Sequence, residues 1–132
     1  PGPEYIQLAG KASEGDRMPA TKLMAAAQLP DSDPQKQVIQ NFIKLYNDTY
    51  HLDKQFPINT HSGYAWDAIT IVANAMRKAG TDPKALRAAI EGTKGYVGVS
   101  GIYNLSPEDH NGLTPAAFVM VKIDKGGFQL ID

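Results

Sequence analysis

Residues 61–80 read "HSGYAWDAITIVANAMRKAG". Trp66, Ile69, Ala73 and Met76 recur at helical spacing, and Ala68, Ile71, Val72, Ala75 and Ala79 widen that stripe past a single narrow face. The stretch predicts one long helix, apolar on more than one side. Its alanines would let a neighbouring backbone come close. Thr60 or Ser62 fits the N-terminal cap, and Gly80 fits the stop. Arg77 and Lys78 suit the negative end of the helix dipole. The stripe from Trp66 to Met76 is expected to be core, since burying a large apolar side chain contributes about 1.5–3 kcal/mol.

The flanking stretches repeat the same grammar. Upstream, Asp33 caps and Pro34 starts a helix over 34–50, with Ile39, Phe42, Ile43, Tyr46 and Tyr50 on its apolar side. The segment "HLDKQFPINT" is a loop, because Pro57 pushes Phe56 out of helical geometry. Downstream, Asp82 caps, Pro83 starts, Leu86, Ala89 and Ile90 face inward, and Gly92 stops. The connection between these last two helices is short enough for a helical hairpin. Near the start, "PEYIQLAGKASEG" suggests a helical turn broken by Gly10 and Gly15, whereas "RMPATKLMAAA" fits strand or helix.

After Thr93 the period changes. Residues 101–105 are β-like, "AAFVMVKI" reads as a strand, and "DKGG" followed by "FQLID" completes a hairpin. The order is helices first, then strands, which predicts an α/β or α+β fold with a small or incomplete sheet. Two or three strands make a poor platform for so many helices. Either the helices pack on each other, or part of the sheet is missing.

Bulk numbers narrow the function classes. The chain has 132 residues, of which 42% are apolar and 20% charged, in keeping with one globular domain. A formal net charge of −1 gives no general pull toward nucleic acid or anionic lipid. Cysteine is absent, which removes disulfides, zinc thiolates and cysteine nucleophiles. No apolar run nears the ~18 residues of a membrane span. No signal peptide is recognisable, and the start "PGPEYIQLAG" is expected to be a boundary rather than a natural beginning.

Catalytic signals are weak. The three histidines, His51, His61 and His110, share no metal-ligand spacing. His110 lies in "SPEDHNG", which reads first as a polar turn shaped by Pro107 and Gly112, and only secondarily as an acid–base pair with Asp109. No GxSxG, Walker or GxGxxG fingerprint is present, and "GYVGVSG" does not open a helix. The aromatics are not interleaved with clustered basic residues, which disfavours base stacking. No metal and no cofactor is predicted.

His61, Ser62 and Tyr64 stand where the long helix begins. In the plainer reading Ser62 caps the helix and His61 lies in solvent. In the functional reading they line a small-molecule cleft, since a helix N-terminus presents unpaired N–H groups and partial positive charge.

Several stretches together resemble one family. They are "LAGKASEG", "FIKLYNDTY", "GYAWDAITIVANAMRKAG", "YVGVSGIYNLSPEDHNGL" and "FVMVKIDKGGFQLID", in that order and over essentially the whole chain. They resemble the C-terminal part of periplasmic solute-binding proteins of the leucine/isoleucine/valine-binding type, which serve branched-chain amino acid ABC transporters. The resemblance implies a C-terminal fragment of the two-lobed type I periplasmic-binding fold, helices dominant and a β-hairpin at the end. Residues 1–27 and 114–132 would belong to lobe two, and 28–113 to lobe one. It implies a non-enzymatic, periplasmic or extracytoplasmic protein that binds an amino acid or related molecule and delivers it to a permease. An ungapped match puts His61 where the family has an apolar or aromatic pocket residue, with Ser62 and Tyr64 as further candidates. An imidazole there leaves polar or aromatic ligands open beside aliphatic ones. A sensor or regulator domain of the same fold is the alternative, and an enzyme using His110 with Asp109 is a third class. Helices separated from their sheet are expected to expose an apolar face, which favours self-association or segment exchange between copies.

Overall fold

A computed structural model describes residues 2–51 and 55–131. Among the described residues, two small antiparallel sheets and four α-helices form the framework. The helices are α1 (Pro3–Ala9), α2 (Lys36–Tyr50), α3 (Thr60–Ala79) and α4 (Pro83–Glu91). The strands are β1 (Arg17–Thr21), β2 (Tyr96–Val97), β3 (Ile102–Tyr103), β4 (Phe118–Asp124) and β5 (Gly127–Ile131). Positions 52–54 of the expected loop, and the side chain of Tyr50, lie outside the described residues.

The larger sheet has the order β1-β4-β5. Its hairpin forms as the sequence suggests, with Asp124 opposite Gly127 across the tight turn of Lys125 and Gly126. Glu14 holds that turn from outside, its carboxylate accepting from the N–H groups of Lys125 and Gly126 at 2.9 and 2.7 Å. The ambiguous "RMPAT" is strand, pairing Arg17 with Lys122 and Thr21 with Phe118. Pro19 lies inside it, which an edge strand tolerates because one row of N–H groups needs no partner. The stretch after it, Lys22–Gln28, is a 3₁₀ segment that lays Leu23, Ala25 and Ala26 in the core.

Helix α2 starts two residues later than expected, at Lys36. Asp33 still organises the start: its carboxylate accepts from Gln35 N–H at 2.9 Å and pairs with Lys22 at 2.7 Å. Helix α4 matches its sequence grammar, with Asp82 accepting from Ala85 N–H at 2.9 Å. Its inward residues Leu86, Ala89 and Ile90 are only half-buried.

The core is small and divided. One cluster joins Leu23, Ala26, Leu29, Ile39, Phe42 and Val99; a second joins Ala20, Ala25 and Val121; a third joins Ile71, Tyr103 and Leu105. The Trp66–Met76 stripe, expected to be core, is not. Trp66 is 36% exposed, Ile69 72% and Met76 40%. The side of α3 that does bury carries Gly63, Asp67, Ile71 and Ala75. On the other side Phe42 of α2 meets Trp66, ring centroids 5.5 Å apart, while Ile69 and Met76 stay open.

Candidate ligand-binding site

The mouth of α3 is built by Asn59, rather than by Thr60 or Ser62 as the cap. Its side chain accepts from the N–H groups of His61 and Ser62 at 3.0 and 3.1 Å. Ser62 answers as the other half of a capping box: its hydroxyl donates to the Asn59 carbonyl at 2.6 Å and sits 3.1 Å from Asn59 N. The Ser62 hydroxyl is therefore engaged in holding the helix start. The His61 ring is exposed on the first turn.

Tyr64 points elsewhere. It is half-buried, and burial pushes its phenol pKa up. It lines a cavity of about 390 Å³ with Asn111, Leu113, Thr114, Pro115 and Phe118. Ser62 instead lines a groove of about 400 Å³ between α2 and α3, with Phe42, Leu45, Tyr46, Ala65, Trp66 and Ile69. The three candidates thus share one helix turn but not one pocket. The signal was present in the sequence, since residues two apart on a helix project roughly 200° from each other.

Sequence reasoning passed over three residues at this mouth. Gly2, before α1, is buried against Asn59; a β-carbon there would come within 3.1 Å of Asn59 Cβ and would strike the Glu4 carboxylate. Gly2, Glu4 and the α3 cap are therefore gathered at one place. Asn59 was legible as an Asn preceding a helical pattern. Nothing local marked Glu4, which comes to the mouth only through the tertiary fold.

Behind the mouth lies the most constrained part of the molecule. The turn 98–101 between β2 and β3 packs on the buried side of α3. Asp67, fully buried, accepts from Val99 N–H at 2.8 Å, Ser100 N–H at 2.7 Å and the Tyr103 hydroxyl at 3.1 Å. Buried Gln35 donates from its amide to the Gly98 carbonyl at 3.0 Å, which ties α2 to the same turn. The approach is close enough that a β-carbon on Gly98 would lie 2.7 Å from Asp67 Oδ1, and one on Gly63 would lie 2.8 Å from Ser100 Oγ. Burial raises the Asp67 pKa, and the two N–H bonds pull it back in part. Burial and the neighbouring carboxylate drive the Tyr103 phenol far above its ordinary range. Asp67 satisfies backbone donors and is sealed from solvent, so it positions the scaffold rather than meeting a ligand.

The pair Asp109–His110 does not form. Asp109 accepts from the N–H groups of Asn111 and Gly112, both at 2.9 Å, inside the polar turn. His110 instead meets Glu91 at 3.0 Å, and Arg87 meets the same carboxylate oxygen at 2.7 Å. Arg87, with His110 adding to it, holds the Glu91 carboxyl below its usual pKa. Among the described residues no group of three or more His, Asp or Glu side chains could hold a metal. No helix there is long and apolar enough to cross a membrane.

The model of the periplasmic binding protein family matches residues 4–127. The chain belongs to the periplasmic binding protein family. Solved structures agree with that membership. An extracellular ligand-binding receptor from Rhodopseudomonas palustris is 25% identical, with a TM-score of 0.82 over 99% of this chain and 38% of the receptor. A putative branched-chain amino acid ABC transporter protein from Rhodospirillum rubrum is 27% identical, with a TM-score of 0.69 over 99% of this chain and 34% of that one. A branched-chain amino acid ABC transporter protein from Thermus thermophilus, solved with bound valine, shares the fold at 22% identity, with a TM-score of 0.70 over 100% of this chain and 36% of that one. Among curated proteins none matches. The chain spans a little over a third of the length of these structures, and its helix-rich body with small sheets is a part of the type I periplasmic-binding fold.

Proposed function

We propose that this chain is the C-terminal part of an extracytoplasmic solute-binding protein that captures an amino acid or related small molecule for an ABC permease. The observation that carries the reading is the family match across residues 4–127. The names of similar structures point toward branched-chain amino acid transport. In this reading residues 1–27 and 114–132 belong to one lobe and 28–113 to the other. The mouth of α3 faces the cleft between the lobes. His61 is exposed there, its ring without a hydrogen bond among the described residues, and the Glu4 carboxylate beside Asn59 supplies a charge suited to an ammonium group. Ser62 acts through the cap, and Tyr64 shapes the outer wall. Ligand would stabilise the closed arrangement by touching both lobes at once. Binding proteins of this kind capture and hand over, so no catalytic step is assigned.

Titration calorimetry with a panel of amino acids, on the 132-residue chain and on the complete translated product of its gene, tests this. The complete product is expected to bind one of them in the micromolar range. His61→Ala and Glu4→Gln should each weaken that binding about tenfold, the worth of roughly 1.4 kcal/mol. The 132-residue chain alone is expected to bind weakly or not at all. Micromolar affinity in the short chain, or none in the complete product, overturns the cleft reading.

A further inference from the structure

We infer that the side chain of Gln28 closes the outer edge of β5, standing in for a neighbouring strand, so that the larger sheet of the complete protein ends at β5. The order β1-β4-β5 leaves β5 with one side unpaired. On that side the Gln28 amide donates to the Phe128 carbonyl and accepts from Leu130 N–H, both at 2.8 Å. Phe128 and Leu130 are two apart on one strand, so their backbone groups point the same way. One carboxamide, with its oxygen and its N–H side by side, spans the gap between them as a peptide group of a further strand would.

Packing delivers Gln28 to this rim. It is the last residue of the 3₁₀ segment Lys22–Gln28. Earlier in that segment Met24 and Ala25 pack with Val121, Phe128 and Leu130 on one face of the sheet. Just beyond it, Leu29 is buried in the neighbouring cluster with Ile39 and Phe42. The chain is thus held on both sides of Gln28 as it passes the edge. The residue type fits the task. A glutamate has no donor for the Phe128 carbonyl, a lysine has no acceptor for Leu130 N–H, and an asparagine is one methylene shorter.

An unpaired edge is a template for strand addition. Here an incoming strand would first have to expel the amide and forfeit both of its bonds. The partners lie 100 and 102 positions from Gln28 in sequence, so the closure is a product of the tertiary fold and not of a local turn. The inference rests on bonds within these residues, and neither the lobe division nor the ligand enters it.

Amide hydrogen exchange tests it, read at single residues on the complete translated product of the gene and on its Gln28→Ala variant. In the wild type Leu130 N–H is expected to be protected. In Gln28→Ala it should exchange roughly tenfold faster, the scale of losing one such bond. Ile123 N–H, which donates to the Asp16 carbonyl at 2.9 Å on the other side of the sheet, should keep its rate. A Leu130 N–H that is unprotected in the wild type overturns the inference. So does one that stays equally protected in the variant, since a strand from the rest of the protein would then cover β5. Ile123 quickening as much as Leu130 overturns it as well, because the amide would then hold the whole sheet rather than its edge.

Discussion

The two sides of α3 invert what hydropathy alone suggests. One side carries Asp67, a carboxylate, and is sealed. The other carries Ile69, an aliphatic chain, and is open. Asp67 can be buried because three donors meet it, two of them backbone N–H groups of a turn that has no strand partner to satisfy them. Ile69 is 72% exposed in a chain that spans a little over a third of the structures it resembles. Burial along this helix is decided by what lies opposite each side, and not by the polarity of the residue.

That contrast is broken most severely at Asp67. Replacing it with Ala leaves Val99 and Ser100 N–H buried and unpaired, so Asp67→Ala should lower stability by about 2–5 kcal/mol in urea denaturation, from the ~1–3 kcal/mol cost of each orphaned group. Asp67 also fixes a pH signature. Its folded pKa is raised above the unfolded 3.8, so its contribution is fully present below that value and is lost as pH rises through the folded pKa. The stability gap between the wild type and Asp67→Asn should therefore narrow as pH rises from acid toward neutrality; a gap that widens would reject burial as the dominant influence. Next comes Gly63→Ala. Its new β-carbon meets Ser100 Oγ at 2.8 Å, Leu23 Cδ2 at 3.1 Å and Val99 Cγ1 at 3.2 Å. Overpacking should cost about 1–3 kcal/mol, outweighing the gain in helix propensity. Ser62→Ala, which opens the capping box, should cost about 1 kcal/mol. Smallest of all, Ile69→Ala at low protein concentration should move stability by no more than about 0.5 kcal/mol, the usual range for surface sites. A loss of several kcal/mol there would mean that Ile69 packs against something.

The features legible in the sequence are those whose cause is local. Asp82, Pro83 and Gly92 mark α4 because cap, first turn and stop are made by residues within reach of one another. The β4–β5 hairpin shows for the same reason: alternation on either side of a Lys–Gly turn. The length of α3 follows from its period. The site was legible only in part. His61 was found because it stands next to a helix start, whereas Glu4 was missed because 55 residues separate it from Asn59 in sequence. Strand β1 was ambiguous because its partner β4 lies about a hundred positions away.

By itself, then, the sequence determined the helices, their stops, the closing hairpin and a pattern of stretches that resembles the periplasmic binding proteins. Only the tertiary structure decided which side of α3 is buried, that Asp67 and not the apolar stripe anchors it, and that Ser62 and Tyr64 face apart. The physical reason is that hydrogen bonds within a helix or hairpin link near neighbours, while burial is a property of two surfaces that sequence distance does not describe.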